Sequence, residues 1–336
     1  MNRLSQILSA LSLGTIVLLS GCGEVGGSAP TGNDTRVLRL GHASSPASTW
    51  HQAALFFADQ VYENTGGTIS VEVFPSELLG PEVDNINSIQ LGTADMVFSG
   101  ESMQAWAPII GLMSAPFLIE DSAHMHRVLN SEVGELFTQA ISDHIGLTVL
   151  TYFERGPRLL TANRPVHHLG DLNNLRVRIP NVPIFVDTWQ AWGASPTTMA
   201  FSEVFTSLQQ NVIDAQENPL AMIHAGAFQE VQDYLINTAH VRSWIYVLIG
   251  NDQWESLTDS QRAGIQQAAN DAQAYEHVLF LAEEAYLFDL LTEHYGMTFI
   301  DIDQSEFSDL IFDFYTTGGL DAQMLELFLR IHELRG

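Results

Sequence analysis

The longest helix-compatible run in the sequence spans residues 259–295, and it contains one glycine and no proline. A continuous helix over this run would extend roughly 54 Å, at 1.5 Å per residue. That length exceeds the width of one domain of about 150 residues. The run therefore predicts a spine that connects two domains, whereas a kink or break at Gly264 or near Leu281 is the alternative.

The chain from Arg36 onward alternates short apolar strands with amphipathic helices, which predicts α/β architecture. Strands are expected at 37–42, 69–74, 175–180 and 244–250. A helix through Trp50 and Val61 is expected to stop at Gly66-Gly67. The stretch "IDAQENP", residues 213–219, follows a segment with helical spacing, and we expect it to form a loop rich in hydrogen-bonding groups.

The charge balance is strongly acidic. Forty Asp and Glu stand against thirteen basic residues, all of them Arg, for a formal charge of −27. This excess argues against nucleic acid or an anionic membrane surface as partner and favours solubility in high salt. The absence of Lys removes Schiff-base enzymes and P-loop nucleotide binding. We therefore expect a halophilic, exported protein.

The first 22 residues have the form of a lipoprotein signal peptide. Arg3 supplies a positive start, and the apolar run at 7–19 is too short for a membrane span. The run ends in "LSGC", which resembles the bacterial lipobox and makes Cys22, the only cysteine, the lipidated residue. A chance cysteine after small residues is the alternative. Residues 23–35 have the Gly/Ser/Pro composition of a flexible tether.

Positive charge is concentrated in one part of the chain. Five of the thirteen arginines fall between residues 155 and 178. They are Arg155, Arg158, Arg164, Arg176 and Arg178. Arg176 and Arg178 lie two apart in a predicted strand, so both project from one face while Val177 and Ile179 enter the core. A guanidinium fork matches a carboxylate; a solvated strand face paired with acids is the alternative.

Enzyme and metal motifs are absent or weak. The sequence has no GxSxG, HExxH or GxGxxG motif, and no catalytic triad can be assembled from it. The pairs His124/His126 and His167/His168 lack the accompanying carboxylate pattern of a metal site and are interpreted as surface residues. We expect a protein without catalytic turnover, cofactor or metal.

Several motifs recur in the order of a known family. The segment "GASPTTMAFSEVFTSLQQNVIDAQENPL", residues 193–220, closely resembles the solute-binding proteins of tripartite ATP-independent periplasmic (TRAP) transporters. "LRVRIPN" resembles the arginine strand of that family, and "LRLGHASSPASTWHQAA", "FPSELLG", "GTADMVF" and "SAPFLI" extend the likeness over essentially the whole mature chain.

The resemblance implies an α/β fold of the two-domain periplasmic-binding-protein (Venus-flytrap) type, with a long helix spanning both domains. We expect domain I to comprise 36–155 plus 244–283, and domain II to comprise 156–243 plus 284–336. The two domains would close on a ligand.

The resemblance also implies roles for five residues. Arg178 would clamp the ligand carboxylate in a bidentate pair, and Arg158 would be a second ligand-binding arginine. Asn218 would supply an amide to the carboxylate or a neighbouring hydroxyl, and Phe201 would pack against the carbon skeleton. Glu101 would accept hydrogen bonds from hydroxyl or amine groups. The alternatives are a turn residue before Pro for Asn218, a core residue for Phe201 and a cap for Glu101.

One position departs from the family pattern. Ala43 stands where sialic-acid binders of the family carry Asn, and His42, Ser44 and Trp50 are the candidates for shaping this end of the site instead. The sequence thus leaves open a sugar acid, such as a uronate, and a C4-dicarboxylate as ligand.

The function implied is an extracytoplasmic binding protein that is anchored through Cys22, captures a small organic acid and delivers it to the membrane subunits of a sodium-driven TRAP transporter. Its only membrane contact would be the lipid. Two alternatives remain: a lipoprotein that senses the ligand and presents its closed form to a receptor, and an exported hydrolase.

Overall fold

The computed structural model describes residues 35–336, so the predicted signal peptide, Cys22 and nearly all of the tether lie outside the described residues. The strands are β1 Arg36–Gly41, β2 Ile69–Phe74, β3 Met96–Ser99, β4 Leu147–Glu154, β5 Arg158–Ala162, β6 Arg176–Ile179, β7 Ser195–Thr198, β8 Ala215–Asn218, β9 Tyr234–Val241, β10 Trp244–Gly250 and β11 Thr298–Asp301. The α-helices are α1 Thr49–Asn64, α2 Glu82–Gln90, α3 Ser122–Leu129, α4 Glu132–Ile145, α5 Pro183–Ala191, α6 Val204–Gln209, α7 Leu220–Ala225, α8 Asn251–Glu255, α9 Asp259–Asp289, α10 Ser305–Phe314 and α11 Ala322–Glu333.

The strands form two sheets. The first has the order β2-β1-β3-β10-β4, in which β1, β2 and β3 are parallel and β10 runs antiparallel to its neighbours. The second has the order β11-β9-β5-β8-β6-β7, in which β6, β7 and β8 are parallel. Helix α1 connects the parallel strands β1 and β2, and α5 connects the parallel strands β6 and β7, so the α/β architecture predicted from the alternating pattern is confirmed.

Local signals set the first helix. The Ser48 side chain accepts a hydrogen bond from the backbone N–H of His51 and caps α1. The helix ends at Asn64, and Gly66 and Gly67 follow with φ of 60° and 78°, a conformation that glycine adopts without strain. The predicted stop at this glycine pair is therefore correct.

The long helix α9 runs from Asp259 to Asp289, and neither Gly264 nor Leu281 interrupts it. Thr258 and Gln261 form a reciprocal capping box at its start. A single π-helical turn, Leu290–His294, continues it. The alternative of a broken helix is thus wrong.

The two ends of α9 belong to different hydrophobic clusters. Near its start, Ile265 and Ala272 pack with Phe57 of α1 and with strands of the first sheet. At its far end, Leu287 and Leu291 pack in a cluster that includes strand residues of the second sheet. The helix therefore spans the cores beside both sheets, as its length predicts.

The chain passes directly from one sheet to the other at two places. One is the link between β4 and β5 at residues 155–157, and the other is the link between β9 and β10 at residues 242–243. The backbone N–H of Arg155 donates to the carbonyl of Ser243 at 3.3 Å, so the two links lie side by side.

One local prediction is wrong. Residues 215–218 of the expected loop form β8, an interior strand of the second sheet that pairs with β5 and β6. All four residues are buried, and their polar side chains bond to one another and to neighbouring strands.

Two kinds of feature are absent from residues 35–336. No helix there is long and apolar enough to cross a membrane. No group of three or more His, Cys, Asp or Glu side chains in this range is arranged to hold a metal ion.

Candidate functional site

A cavity of about 330 Å³ lies between the two sheets. The ends of β1, β2, β3 and β4 supply one wall, and residues of or following β5, β6, β7 and β8 supply the other. Ligand sites in open α/β sheets commonly lie beyond the carboxyl ends of parallel strands. All five residues proposed from the sequence to bind the ligand line this cavity: Arg178, Arg158, Asn218, Phe201 and Glu101.

Arg178 is the buried arginine of the cavity that forms no ion pair with an acid of residues 35–336. It lies on β6 and is 4% exposed. Its Nε and Nη2 donate to the backbone carbonyl of Met199 at 3.1 and 2.6 Å, and no carboxylate of residues 35–336 lies within 4.0 Å of it. Burial lowers the pKa of Arg178 to about 10, so the group stays charged at neutral pH. Its remaining N–H groups are available to an anion in the cavity.

Arg176 has a different environment on the same strand. It is exposed and forms an ion pair with Asp214, which its Nε reaches at 2.9 Å. Val177 and Ile179 are fully buried, which confirms the alternation predicted for this strand. Because Arg176 is already paired and does not line the cavity, it provides a matched control for Arg178.

The guanidinium of Arg158 donates hydrogen bonds to acceptors of the protein itself. Its Nε donates to Glu217 Oε2, and its Nη2 donates to Glu217 Oε1 at 2.7 Å. Nη2 also reaches Asn218 Oδ1 at 3.2 Å, and Nη1 reaches Glu101 Oε1 at 3.3 Å. The guanidinium carbon lies 5.2 Å from the centre of the Phe185 ring. The charge of Arg158 is thus largely compensated before any ligand binds.

Glu217 is a residue that the sequence did not single out. It is fully buried, and His240 Nε2 lies 3.1 Å from its Oε2. Burial alone would raise the pKa of Glu217, but the Arg158 guanidinium holds it below its ordinary value. The partners of Glu217, Arg158 and His240, stand far from it in the chain. The local sequence "QENP" therefore does not distinguish this Glu from its polar neighbours.

Glu101 faces the arginines from the first sheet. It follows β3 and forms ion pairs with Arg155 and Arg158. Arg155, which the sequence placed among the clustered arginines but gave no role, also donates to Ser243 Oγ at 2.5 Å. Against the effect of burial, Arg155 and Arg158 lower the pKa of Glu101 to about 2. Glu101 therefore joins the two walls of the cavity as an ionised acceptor.

Glu82 is a second acid of this wall that the sequence analysis missed. It is the first residue of α2, and three donors hold its carboxylate. Ser99 Oγ and the Gly100 N–H reach Oε1 at 2.5 and 3.1 Å, and Ser102 Oγ reaches Oε2 at 3.0 Å. Burial and the nearby Glu101 raise the pKa of Glu82.

Asn218 and Phe201 complete the predicted set. Asn218 donates from Nδ2 to Gln216 Oε1 at 2.6 Å, so its amide is oriented by its own strand. Phe201 is half-buried, and its ring meets that of Phe228 edge to face with centroids 5.5 Å apart. The structure brings all five residues to one cavity, and their roles in binding stay predictions.

Among the candidates for the first loop, Ala43 and Trp50 line the cavity. His42 instead stacks on Phe98 with ring centroids 5.5 Å apart, and Ser44 Oγ donates to Met222 Sδ at 3.3 Å. His42 and Ser44 do not line the cavity, whereas Trp50 supplies an apolar surface.

Comparison with known proteins identifies relatives over most of the chain. Residues 40–311 match the family model described as bacterial extracellular solute-binding protein, family 7. A solute-binding protein of Roseobacter denitrificans is 47% identical over 274 residues, which cover 80% of this chain and 83% of the relative. The 2,3-diketo-L-gulonate-binding periplasmic protein of Escherichia coli is 33% identical over 82% of this chain and 84% of its own length.

A solved structure shares the whole architecture. The TRAP periplasmic solute-binding protein of Roseobacter denitrificans with bound L-galactonate has a TM-score of 0.85 and 43% identity, over 90% of this chain and 99% of that one. This similarity confirms the predicted periplasmic-binding-protein fold with its long helix. The relatives are binding proteins of transporters, which also confirms the prediction of a protein that is not an enzyme.

Proposed function

The chain belongs to family 7 of the bacterial extracellular solute-binding proteins, the solute-binding proteins of TRAP transporters, and on that premise we propose that it captures a sugar acid and delivers it to the membrane subunits of such a transporter. The solved relatives include proteins described with bound L-galactonate, L-gulonate and D-glucuronate. All three ligands combine one carboxylate with several hydroxyl groups.

The observation that carries this proposal is the state of Arg178. A guanidinium that is buried, charged and without a carboxylate partner among the described residues is costly unless a ligand supplies the missing anion. Nε and Nη2 already share the Met199 carbonyl, and the free N–H groups offer a carboxylate charge-assisted hydrogen bonds. The cavity volume of about 330 Å³ lies at the small end of ligand pockets, in keeping with a compact solute.

The other cavity residues suit the hydroxylated part of a sugar acid. Glu101 and Glu82 are acceptors, Asn218 offers both an acceptor and a donor, and Trp50 and Phe201 provide apolar surface for the C–H face of the chain. In this proposal Arg158 acts mainly by holding Glu101 and Asn218 in place, with its spare N–H on Nη1 directed to the ligand.

Closure of two lobes would complete the site. We propose domain I as 36–155 plus 244–283 and domain II as 156–243 plus 284–336. The distribution of strands supports this division, because the first sheet draws only on β1–β4 and β10, and the second only on β5–β9 and β11. The ligand would then be held between walls that belong to different lobes.

The proposal also includes the membrane side of transport. Residues 1–22 would be a lipoprotein signal, Cys22 the lipid anchor and residues 23–35 the tether. The transporter would be driven by sodium, and the Lys-free, acidic composition would suit an environment of high salt.

Isothermal titration calorimetry and thermal shift against sugar acids and C4-dicarboxylates test the proposal. A ligand at 100 times its Kd stabilises a protein by about 2.7 kcal/mol, which raises Tm by several degrees at this size. We expect at least one of L-galactonate, L-gulonate and D-glucuronate to do so, with a calorimetric stoichiometry of one. A broad panel in which no organic acid shifts Tm by a degree would refute the proposal.

A further inference from the structure

The charges around the cavity are distributed unequally between its two walls. Arg178, the one cavity arginine without a carboxylate partner in residues 35–336, stands on the wall made by the second sheet. The opposite wall carries four carboxylates: Glu77, Glu82, Asp84 and Glu101. Arg155 also stands there, but it is paired with Glu101. A ligand carboxylate that pairs with Arg178 therefore leaves the rest of the ligand facing a wall that carries several acids.

Glu82 is the acid of this wall whose position is fixed most firmly without a cation. Ser99, Gly100 and Ser102 together donate three hydrogen bonds to it, and none of these donors carries a charge. Oε1 accepts two of these hydrogen bonds and Oε2 accepts one, which leaves room for a further donor at Oε2. Glu101, in contrast, already receives two guanidinium groups.

The end of a sugar acid that lies away from its first carboxylate can carry either a hydroxyl group or a second carboxylate, and these two groups interact differently with Glu82. A terminal hydroxyl can donate a hydrogen bond to a carboxylate oxygen. A second carboxylate of the ligand is an acceptor only when ionised, and it cannot bond to Glu82 without a proton or a cation between them. Like charges at about 4 Å repel strongly where water is largely excluded.

We propose that Glu82 is a specificity-determining residue that accepts a hydrogen bond from the hydroxylated end of the ligand and excludes a second carboxylate there. The site would then select sugar acids with a carboxylate at one end and reject sugar diacids of the same carbon chain. This inference rests on the proposed function, because it takes the first carboxylate to be bound by Arg178.

Pairs of ligands that differ only at the far end test the inference. L-Galactonate and galactarate form one such pair, and L-gulonate and D-glucarate form another. At pH 8 the wild-type protein should bind the monoacid of the preferred pair at least a hundredfold more tightly than the diacid, about 2.8 kcal/mol at 1.4 kcal/mol per factor of ten. Titration calorimetry measures both constants.

Glu82→Gln keeps the size and one acceptor oxygen of the side chain while it removes the charge and adds a donor. We expect this variant to reduce the preference for the monoacid at least tenfold, mainly by tighter binding of the diacid. Glu72→Gln is the matched control, because Glu72 is an exposed acid on β2 of the first sheet that does not line the cavity, and it should leave the preference within about threefold of the wild-type value. A purely structural role of Glu82 would weaken both ligands equally and leave their ratio unchanged.

The outcomes separate the two proposals. Comparable wild-type affinity for monoacid and diacid, or a ratio that Glu82→Gln does not move, would overturn the role of Glu82 while sugar-acid binding stands. Absence of binding by every monoacid and diacid would overturn the proposed function and this inference with it.

Discussion

Replacement of Arg178 by Met should raise the stability of the ligand-free protein and abolish most of its affinity. The side chain is 4% exposed, and burial lowers its pKa from the ordinary arginine value to about 10. Burial therefore disfavours the charged form in the folded state by roughly 3 kcal/mol, at 1.36 kcal/mol per pKa unit. Met retains most of the apolar stem and has no charge to desolvate.

Some of this gain is offset by two lost hydrogen bonds to the Met199 carbonyl, each contributing about 1 kcal/mol. Because Met199 is partly exposed, water can replace the lost donors. The net stabilisation should be about 1 to 2 kcal/mol, or a rise of a few degrees in Tm of the ligand-free protein. Affinity for the sugar acid should fall at least a hundredfold, since a bidentate pair uses two charge-assisted bonds of about 1.5 kcal/mol or more.

Three variants measured by scanning calorimetry and titration calorimetry decide the matter. Arg178→Lys should keep the buried charge, gain no stability and lose most of the affinity, because the planar fork is gone. Arg176→Met should bind within tenfold of wild type and lose less than about 1 kcal/mol, as expected for an exposed ion pair. The reasoning fails if Arg178→Met unfolds at a lower temperature than wild type and still binds the ligand.

Three further predictions concern stability. Burial, with the nearby charges of Glu154 and Glu283, raises the pKa of Glu276 to about 8. Because this folded-state pKa lies above the unfolded value, the stability of the protein falls as pH rises from about 4.5 to 8. Glu276→Gln should therefore flatten the fall in Tm over that pH range, and an unchanged slope would contradict this prediction. A Cβ at Gly264 would lie 2.9 Å from the backbone oxygen of Asn64. Gly264→Ala should therefore lower the free energy of unfolding, measured in urea, by about 1 kcal/mol, although alanine has a better helix propensity than glycine. A gain in stability would show that α1 and α9 separate easily. With a formal charge of −27, Tm should rise between dilute buffer and about 2 M NaCl as self-repulsion is screened, and a flat or falling curve would remove the high-salt interpretation.

The features predictable from the sequence are those with a local signal. Strands 69–74 and 244–250 were predicted to the residue because alternating or continuous apolar runs bounded by turn residues specify them. The capped start of α9 and its lack of proline specify the long helix in the same way. Arg178 was separable from Arg176 only through the family resemblance, since both project from one face of the strand.

The prediction failed where distant parts of the chain decide the outcome. Residues 215–218 have low strand propensity, yet β8 forms because β5 and β6 pair with it on either side. Glu217 and Glu82 were missed because their partners, Arg158 and the Ser99–Ser102 turn, stand 59 and about 20 residues away along the chain. No periodicity or short motif encodes such contacts.

The attachment of α9 at both ends has a mechanical consequence. Ala272 belongs to the cluster beside the first sheet and Leu287 to the cluster beside the second, so about 22 Å of helix, at 1.5 Å per residue, bridges them. This bridging stretch carries the exposed Val278, Leu281 and Tyr286. A rotation of one sheet against the other would bend this helix, and the bending stiffness of the helix would oppose the motion. If ligand binding drives such a rotation, part of the binding free energy would be stored as elastic strain, and substitutions that stiffen or soften the helix would change affinity from outside the cavity.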